Sequence, residues 1–403
     1  MKIFVQKYGG TSVGSTELIR NVAKRIIKLK ETQENIVVVV SAMGETTDKL
    51  IELANKLASR PNPREYDALI STGENVSAAL LSIALNELEQ KAISLNGPQA
   101  GIATTGPYTK AKIVNVNSER ILKELEEGKV VVVTGFQGIN DMDDITTIGR
   151  GGSDTSAVVL AAASGAEECD ICTDVDGVYT TDPRIEPKAT KLTEISYDEM
   201  LELASLGAKV LHPRAVECAK ENNVVIHVRS SFKEDIGTKV KEAGKMEVNK
   251  PVTGIALNEE EAILSIIGVP DDPGVAGKLF TRLAEAAINV DMIIQSVEEN
   301  HANKITFTIN GNDMDTAERI THQVSEEIGA GRARRGESIA KVSIVGVGMI
   351  SKPGIAAKMF QVLGDNNINI QLISTSEIKI SCAIDKNDGK KALHVLHQAF
   401  ELG

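Results

Sequence analysis

Beyond residue 260 the chain repeats itself, and this repeat constrains the fold more than any other feature of the sequence. Ser265-Ile266-Ile267-Gly268-Val269 returns 78 residues later as Ser343-Ile344-Val345-Gly346-Val347. Pro273-Gly274-Val275-Ala276 returns 80 residues later as Pro353-Gly354-Ile355-Ala356, and the same offset relates Phe280 to Phe360 and Ile288-Asn289-Val290 to Ile368-Asn369-Ile370. The two-residue difference is a loop insertion. Each copy reads strand, Pro-Gly turn, helix, Asn-containing turn, strand, strand, helix, which is most of a βαββαβ unit. Two small units of one architecture are expected.

The copies are not equally complete. After the helical stretch Lys390–Phe400 the second copy has no closing strand of its own, whereas a strand-like segment, Val252–Leu257, lies ahead of the first. This arrangement predicts that Val252–Leu257 completes the second copy's sheet, so that copy one (262–337) is inserted within copy two (252–257 plus 341–403). In copy one the closing strand falls on Arg332-Ala333-Arg334-Arg335, a poor β sequence, and that edge stays open.

A different organisation precedes the repeat. Ile3–Val5, Ile36–Val40, Val130–Thr134 and Val224–Val228 are strand-like runs that alternate with helical patterns. Leu18, Val22, Ile26 and Leu29 recur at helical spacing behind Ser15 as N-cap, with Glu17 in the first turn. Near-continuous apolar strands are buried on both faces, which predicts a mainly parallel sheet between helical layers, a three-layer α/β/α domain over 1–230. The polar and charged stretch 231–251 reads as a linker. Met246 lies within it, so a separately translated regulatory chain beginning there is conceivable.

Composition removes several functional classes. The 44 Lys and Arg against 56 Asp and Glu leave a net charge of −12, a field that repels nucleic acid and anionic membranes. Aromatic residues make up 3% of the chain with no Trp, too few for a base-stacking surface. The longest apolar runs, such as Ala157–Ala163, fall short of the ~20 residues of a membrane span. The start, Met1 to Val5, runs into a polar Gly-rich stretch without a signal-peptide core, so a cytoplasmic protein is expected. Four Cys fit a reducing compartment. Cys169 and Cys172 form a C-x-x-C with no second pair and no nearby His, beside an apparent buried strand, which favours packing over redox or metal chemistry.

Three loops carry residues suited to chemistry. Lys7-Tyr8-Gly9-Gly10-Thr11-Ser12 lies between the first strand and the first helix; paired glycines allow close backbone approach and a helix N-terminus favours anions, so it is either a phosphate cradle or a tight turn. The Lys precedes the glycines, which excludes a Walker A, and no dinucleotide fingerprint is present. Gly149-Arg150-Gly151-Gly152-Ser153-Asp154-Thr155 opens a helix over Ser156–Ala163. Arg150 offers a planar fork for a carboxylate, and Asp154 a partner for a lysine ammonium or a metal ion. Thr173-Asp174-Val175-Asp176-Gly177-Val178-Tyr179-Thr180-Thr181-Asp182-Pro183-Arg184 combines acids, an aromatic and an Arg, a set suited to a nucleotide. Three such loops leaving strand ends of one sheet point to a ligand crevice.

With Gly207-Ala208-Lys209-Val210-Leu211-His212-Pro213 and the ACT-like tandem repeat, these motifs resemble the aspartate kinases over essentially the whole chain. The resemblance implies an amino-acid-kinase domain followed by two ACT domains. With no homoserine dehydrogenase domain after Gly403, the expected form is monofunctional. It further implies transfer of the γ-phosphoryl group of ATP, with Mg²⁺ bound mainly through ATP, to the β-carboxylate of L-aspartate. The product is 4-phospho-L-aspartate, the first step of lysine, threonine and methionine biosynthesis.

By position in the family pattern, Lys7 contacts the transferring phosphate, Asp154 orients Lys7, and Gly9 and Gly10 belong to the ATP site. Glu74, in Ser71-Thr72-Gly73-Glu74, matches the acid facing the substrate ammonium, and Arg150 the clamp on its α-carboxylate; Ser41, Thr47 and Ser153 add hydroxyl contacts. Thr173, Asp174, Tyr179, Asp182, Arg184 and Lys209 match nucleotide positions, although Lys209 reads equally as a solvated neighbour. His212 is expected to be structural, and His394 and His397 to lie at the surface.

The resemblance also implies feedback by lysine, threonine or both, bound where ACT units pair. The matching positions are Asp271, Gly274, Val275, Ala276, Asn289, Val290, Asp291 and Gln295 in copy one, with Ile355, Ala356, Asn369, Ile370 and Ser376 from copy two. The expected assembly is a homo-oligomer through the ACT domains, or a complex with a separately translated ACT-only chain. The tandem repeat and the Lys7–Ser12 loop count against a kinase of glutamate, acetylglutamate or a nucleoside monophosphate. Intact Lys7, Glu74, Arg150 and Asp154 count against a non-catalytic amino-acid sensor.

Overall fold

Runs of β-branched residues without a polar break belong at the centre of a sheet. They occupy that place in the computed structural model, which describes residues 2–207, 210–244, 250–297 and 303–403. The chain divides into two units, Met1–Tyr179 with Lys191–Glu247, and Thr180–Thr190 with Val248–Gly403.

The first unit contains β1 (Ile3–Tyr8), β2 (Asn35–Val40), β3 (Ala92–Leu95), β4 (Ile102–Thr105), β5 (Lys112–Val116) and β6 (Val130–Thr134). It continues with β7 (Gln137–Ile139), β8 (Ile145–Thr147), β9 (Glu168–Thr173), β10 (Glu194–Ser196), β11 (Val225–Ser230) and β12 (Thr238–Lys241). Eight of them form one sheet in the order β10-β12-β11-β9-β1-β2-β6-β3, parallel throughout except between β11 and β12. A second sheet runs β5-β4-β7-β8. Successive valines of β2 and β6 are all buried, so both faces of the sheet are covered. On one face Ile36, Val38 and Val40 pack with Ile19, Val22 and Ile26 of the helix Thr16–Lys30, which Ser15 caps by accepting from the Leu18 amide at 3.2 Å.

The helical stretch Pro63–Glu87 has the length and hydropathy of a bilayer span, but half of its most apolar window is buried in the protein. Ala78, Leu81 and Leu85 from it lie in the same core as β2, so it reads as a core element. The registers Tyr8↔Val40, Val40↔Thr134 and Tyr8↔Cys172 bring the C-terminal ends of β1, β2, β6 and β9 to one edge of the sheet. In open α/β sheets that edge forms the ligand crevice.

The linker reading of 231–251 is corrected by β12, a strand of the main sheet. Its alternation explains the misleading composition: Thr238 and Val240 are buried, while Lys239 pairs with Glu168 at 2.9 Å and Lys241 with Glu194 at 2.7 Å. Met246 falls outside the described residues. The span 1–230 is also not one block. Thr180–Thr190 belongs to the second unit, where Ile185 packs on the core and the Thr180 carbonyl accepts from the Ile255 amide at 2.7 Å. Cys169 and Cys172 are buried thiols whose pKa values burial pushes up, that of Cys172 to about 12, in keeping with packing.

The second unit contains β13 (Gly254–Val269), β14 (Val290–Val297), β15 (Asn303–Asn310), β16 (Arg332–Val345), β17 (Ile370–Thr375) and β18 (Lys379–Asp385). They form one antiparallel sheet in the order β14-β15-β13-β16-β18-β17. Both central strands serve both repeats. Gly254–Asn258 pairs with Lys341–Val345, and Glu261–Ile267 with residues from Arg332 to Ile339. The helices Val275–Glu285 and Met314–Glu327 share a core with Leu264, Ile266 and Phe307; Ile355–Asp365 and Gly389–Ala399 share another with Val342, Ile344 and Cys382. The unpromising Arg332–Arg335 is strand because Ala333 turns inward while Arg335 is neutralised by Asp315 at 3.0 Å and Glu318 at 3.1 Å.

His397 is not a surface residue. Lying between the buried Leu396 and the core residue Phe400, it is 2% exposed, with Nε2 3.0 Å from Thr180 Oγ1. His394 is exposed and pairs with Glu186.

Candidate active site

The site grows from the C-terminal end of β1. The Lys7 ammonium lies 2.7 Å from Asp154, in the first turn of the helix Gly152–Ser164, and both side chains are largely buried. A cation held by a single fixed carboxylate keeps its direction, and the adjoining helix N-terminus adds unpaired N–H groups. Next to it, the loop after β1 is joined to the loop after β2 by backbone hydrogen bonds. The Gly44 amide donates to the Gly10 carbonyl at 3.0 Å, the Ser41 amide to the Tyr8 carbonyl at 3.1 Å, and a Cβ on Gly10 would sit 2.8 Å from the Ala42 carbonyl oxygen. Only glycine fits there. Gly9 lies beside Lys7, its Cβ direction 3.5 Å from Nζ.

Glu74 enters from the helix Thr72–Glu87 and is 3% exposed. Its Oε1 accepts from the Ala42 amide at 3.1 Å; its Oε2 is buried without a partner. Burial pushes its pKa up to about 7, against the lowering by backbone hydrogen bonds. A buried carboxyl with one oxygen anchored and one bare is suited to receive a cationic group. Thr47 lies half-buried in the first turn of the helix Thr46–Leu57.

Arg150 is exposed and Ser153 buried on the glycine-rich loop. Gly151 takes a left-handed conformation (φ 69°), and a Cβ on it would fall 2.1 Å from the His212 ring. His212 caps the helix Pro213–Asn222, and Arg214 donates to the Ile148 carbonyl at 2.6 Å and the Ala111 carbonyl at 3.2 Å. His212 is thus structural, bracing the loop that presents Arg150.

The acidic stretch after β9 is divided. Thr173 Oγ1 donates to Asp174 at 3.1 Å and Tyr179 Oη to Asp176 at 2.9 Å within the first unit. Asp182 and Arg184 belong to the second unit, where the guanidinium and carboxylate pair at 2.7 Å. Of the nucleotide set expected from the sequence, Thr173, Asp174 and Tyr179 thus fall in the first unit and Asp182 and Arg184 in the second. Lys209 lies outside the described residues.

Three further residues shape the site without a sequence signal of their own. Asp67, fully buried, accepts from the Thr109 and Thr147 amides at 2.8 and 2.9 Å and from the Thr147 hydroxyl at 2.6 Å, holding the segment that leads to Arg150. Ser231 Oγ lies 2.6 Å from Ser12 Oγ, tying the segment after β11 to the first glycine loop. Asp170, also fully buried, receives Gln6 at 3.1 Å and Arg229 at 3.3 Å, and His227 Nδ1 lies 3.2 Å from it and 3.1 Å from Glu168. His227 also contacts the Ile236 carbonyl. Although burial alone would lower it, these acceptors raise the His227 pKa to about 9.

In the second unit the expected effector residues fall into two sets. Asp271, Gly274, Val275 and Ala276 surround the start of the helix Val275–Glu285, near Asn289, Val290, Asp291 and Gln295 at β14. Ile355 and Ala356 open the equivalent helix, with Asn369, Ile370 and Ser376 flanking or within β17. β14 and β17 are opposite edge strands, so the sheet of one chain does not bring the two sets side by side.

The sequence model of the amino acid kinase family matches residues 2–230, and that of an ACT domain matches 264–324 and 342–400. An aspartokinase of Bacillus sp. (strain MGA3) is 50% identical over 402 residues, covering 100% of this chain and 98% of its own. E. coli aspartokinase III in complex with aspartate and ADP (R-state) superposes with a TM-score of 0.81 at 25% identity, covering 99% of each chain. Its complex with lysine and aspartate (T-state) gives 0.79 at 26% identity, covering 99% of this chain and 100% of that one. The chain belongs to the amino acid kinase family and, within it, to the aspartokinases.

Proposed function

We propose that the chain phosphorylates the β-carboxylate of L-aspartate from ATP, releasing ADP and 4-phospho-L-aspartate, and so opens lysine, threonine and methionine biosynthesis. The observation that carries this reading is the buried Lys7–Asp154 pair at the end of β1, between a glycine loop and a helix N-terminus. An aspartate side chain, with a reference pKa near ~3.9, is ionised at neutral pH, so its oxygen attacks without a general base. The protein's task is to align two anions and offset charge on the phosphoryl group. Lys7, kept in direction by Asp154, supplies a positive charge to the transferring group. Glu74 receives the substrate ammonium at its bare Oε2, and Arg150 receives the α-carboxylate. Ser41, Thr47 and Ser153 supply hydroxyl contacts; Gly9, Gly10, Thr173, Asp174, Tyr179, Asp182, Arg184 and Lys209 belong to the nucleotide site.

Mg²⁺ is carried mainly by the ATP phosphates and supplies charge neutralisation there. The chemistry of the donors supports this: Asp154 is already paired with Lys7, and the one three-ligand cluster among the described residues, Glu168, Asp170 and His227, is neutralised by Lys239 and Arg229.

The same reading assigns feedback to lysine, threonine or both through the ACT unit. Lysine bound to E. coli aspartokinase III supports the first. Because β14 and β17 lie on opposite edges, joining the two effector sets calls for pairing of ACT units in a homo-oligomer or with an ACT-only chain. The domains we propose are a kinase domain over 1–179 and 191–247, with 180–190 grouped in the regulatory unit, ACT one over 262–337, and ACT two over 252–257 plus 341–403. A cytoplasmic location accords with four free thiols. The test is ATP, Mg²⁺ and aspartate with hydroxylamine, run beside glutamate. Hydroxamate from aspartate alone is expected; equal yield from glutamate, or none from either, overturns the assignment.

A further inference from the structure

Among the described residues of the second unit, the most deeply buried lysine is Lys341, 3% exposed, on β16. Its ammonium contacts two carboxylates at once, Glu261 of β13 and Asp291 of β14. Two strands separate β14 from β16 in the hydrogen-bonded order. Asp291 nevertheless reaches Lys341, in a region of broken register: β14 shifts against β15 between Val290 and Ile293, and β13 against β16 between Asn258 and Glu261 and again between Ala262 and Leu264, a pattern that bends strands locally where the two repeats join.

The cluster is short of positive charge. One ammonium serves two carboxylates, and the Glu261 oxygens are unequally treated: Oε1 accepts from Lys341 and from Asn258 at 2.9 Å, whereas buried Oε2 has no cation against it, the Thr308 hydroxyl being the neutral group beside this carboxylate. Burial keeps the Glu261 pKa above its usual value despite Lys341. Asp291, by contrast, has a 39% exposed side chain and is open to a ligand from solvent. A second cation arriving at Asp291 would leave Lys341 free to satisfy Glu261 fully.

We infer that Lys341 is an internal occupant of an ammonium subsite at Asp291, which the ammonium group of an amino-acid effector takes over while Lys341 withdraws onto Glu261. This rests on the reading that Asp291 belongs to the effector site and adds the exchange as its switching element. Ligand binding then repartitions one buried cation between β13 and β14 at the bend between the repeats. A ligand that makes such differential contacts in two arrangements is able to shift their balance.

The exchange predicts that removing the internal competitor tightens effector binding. The variant is the double Lys341→Met with Glu261→Gln, which conserves volume and leaves no buried carboxylate without its cation, as Lys341→Met alone would. Lysine, and separately threonine, is titrated against the full-length chain, each variant normalised to its own uninhibited rate, with binding followed by calorimetry and folding by thermal melts. The half-effect concentration of the active effector should fall about tenfold or more, the scale of removing one partly screened charge pair. An unchanged value, or a rise, overturns the exchange. Asp291→Asn separates the two readings: if it leaves the effector response intact, or if wild type binds neither amino acid, the effector site at Asp291 fails. If Asp291→Asn weakens the response but the double variant leaves it unmoved, only the exchange fails.

Discussion

Replacing Glu74 with Gln should make the substrate-free kinase unit more stable and the enzyme worse. Glu74 is 3% exposed, and burial lifts its pKa from 4.5 to about 7. A carboxyl whose folded pKa is raised binds more protons folded than unfolded between those values, so stability falls as pH rises from 4.5 to about 7 and is then flat. At 1.36 kcal/mol per pKa unit, the ionised form costs about 3 kcal/mol at pH 8. Gln keeps the oxygen that accepts from Ala42 and has no charge to bury. Relative to wild type, the variant should therefore gain about 2.5 kcal/mol between pH 5 and pH 8, because a small part of the cost is already present at pH 5; that is about 5–10 °C in Tm for a domain of this size. Melts of both proteins without aspartate at the two pH values read the gain. In parallel the KM for aspartate should rise about 10- to 100-fold, the loss of a charged hydrogen-bond partner. A Tm difference that is the same at pH 5 and pH 8 refutes the burial argument, and an unchanged KM refutes the placement of the substrate ammonium.

Three other outcomes follow from the site. Lys7→Ala should lower kcat about 10²–10³-fold, as expected for a preorganised donor to the transferring group; steady-state kinetics with saturating ATP and aspartate measure it, on protein shown by melting to be folded because the change also leaves Asp154 without its cation. Arg150→Ala should raise the KM for aspartate and leave that for ATP within about twofold, because its exposed fork is assigned to the α-carboxylate alone. His227, raised from 6.5 to about 9, contributes stability that is fully present below pH 6.5 and lost as pH rises through about 9, so His227→Gln should flatten the alkaline limb of the melting profile.

What was legible in the sequence was what chain order encodes directly. The repeat announced the second unit because each copy keeps its turn residues at fixed offsets, and Lys7, Glu74, Arg150 and Asp154 stood out because short motifs surround them. What escaped depends on contacts between distant segments. Asp67 reads as an ordinary helical acid until the Thr109 and Thr147 amides converge on it. β12 looked like linker because its lysines are neutralised by acids more than 40 residues away in sequence. His397 looked like surface because nothing in its helix reveals that Thr180 lies against it. The shared use of β13 and β16 was half visible: the unpaired Val252–Leu257 hinted at it, but the arginines of Arg332–Arg335 hid the strand that continues into the second repeat.

The central claim is that this site directs phosphoryl transfer to the side-chain carboxylate of aspartate. Trapping the acyl phosphate with hydroxylamine and separating the two isomeric hydroxamates tests it most directly. Aspartate β-hydroxamate, formed only with ATP and lost in Lys7→Ala, is the result expected; α-hydroxamate, or β-hydroxamate undiminished in Lys7→Ala, would contradict the account.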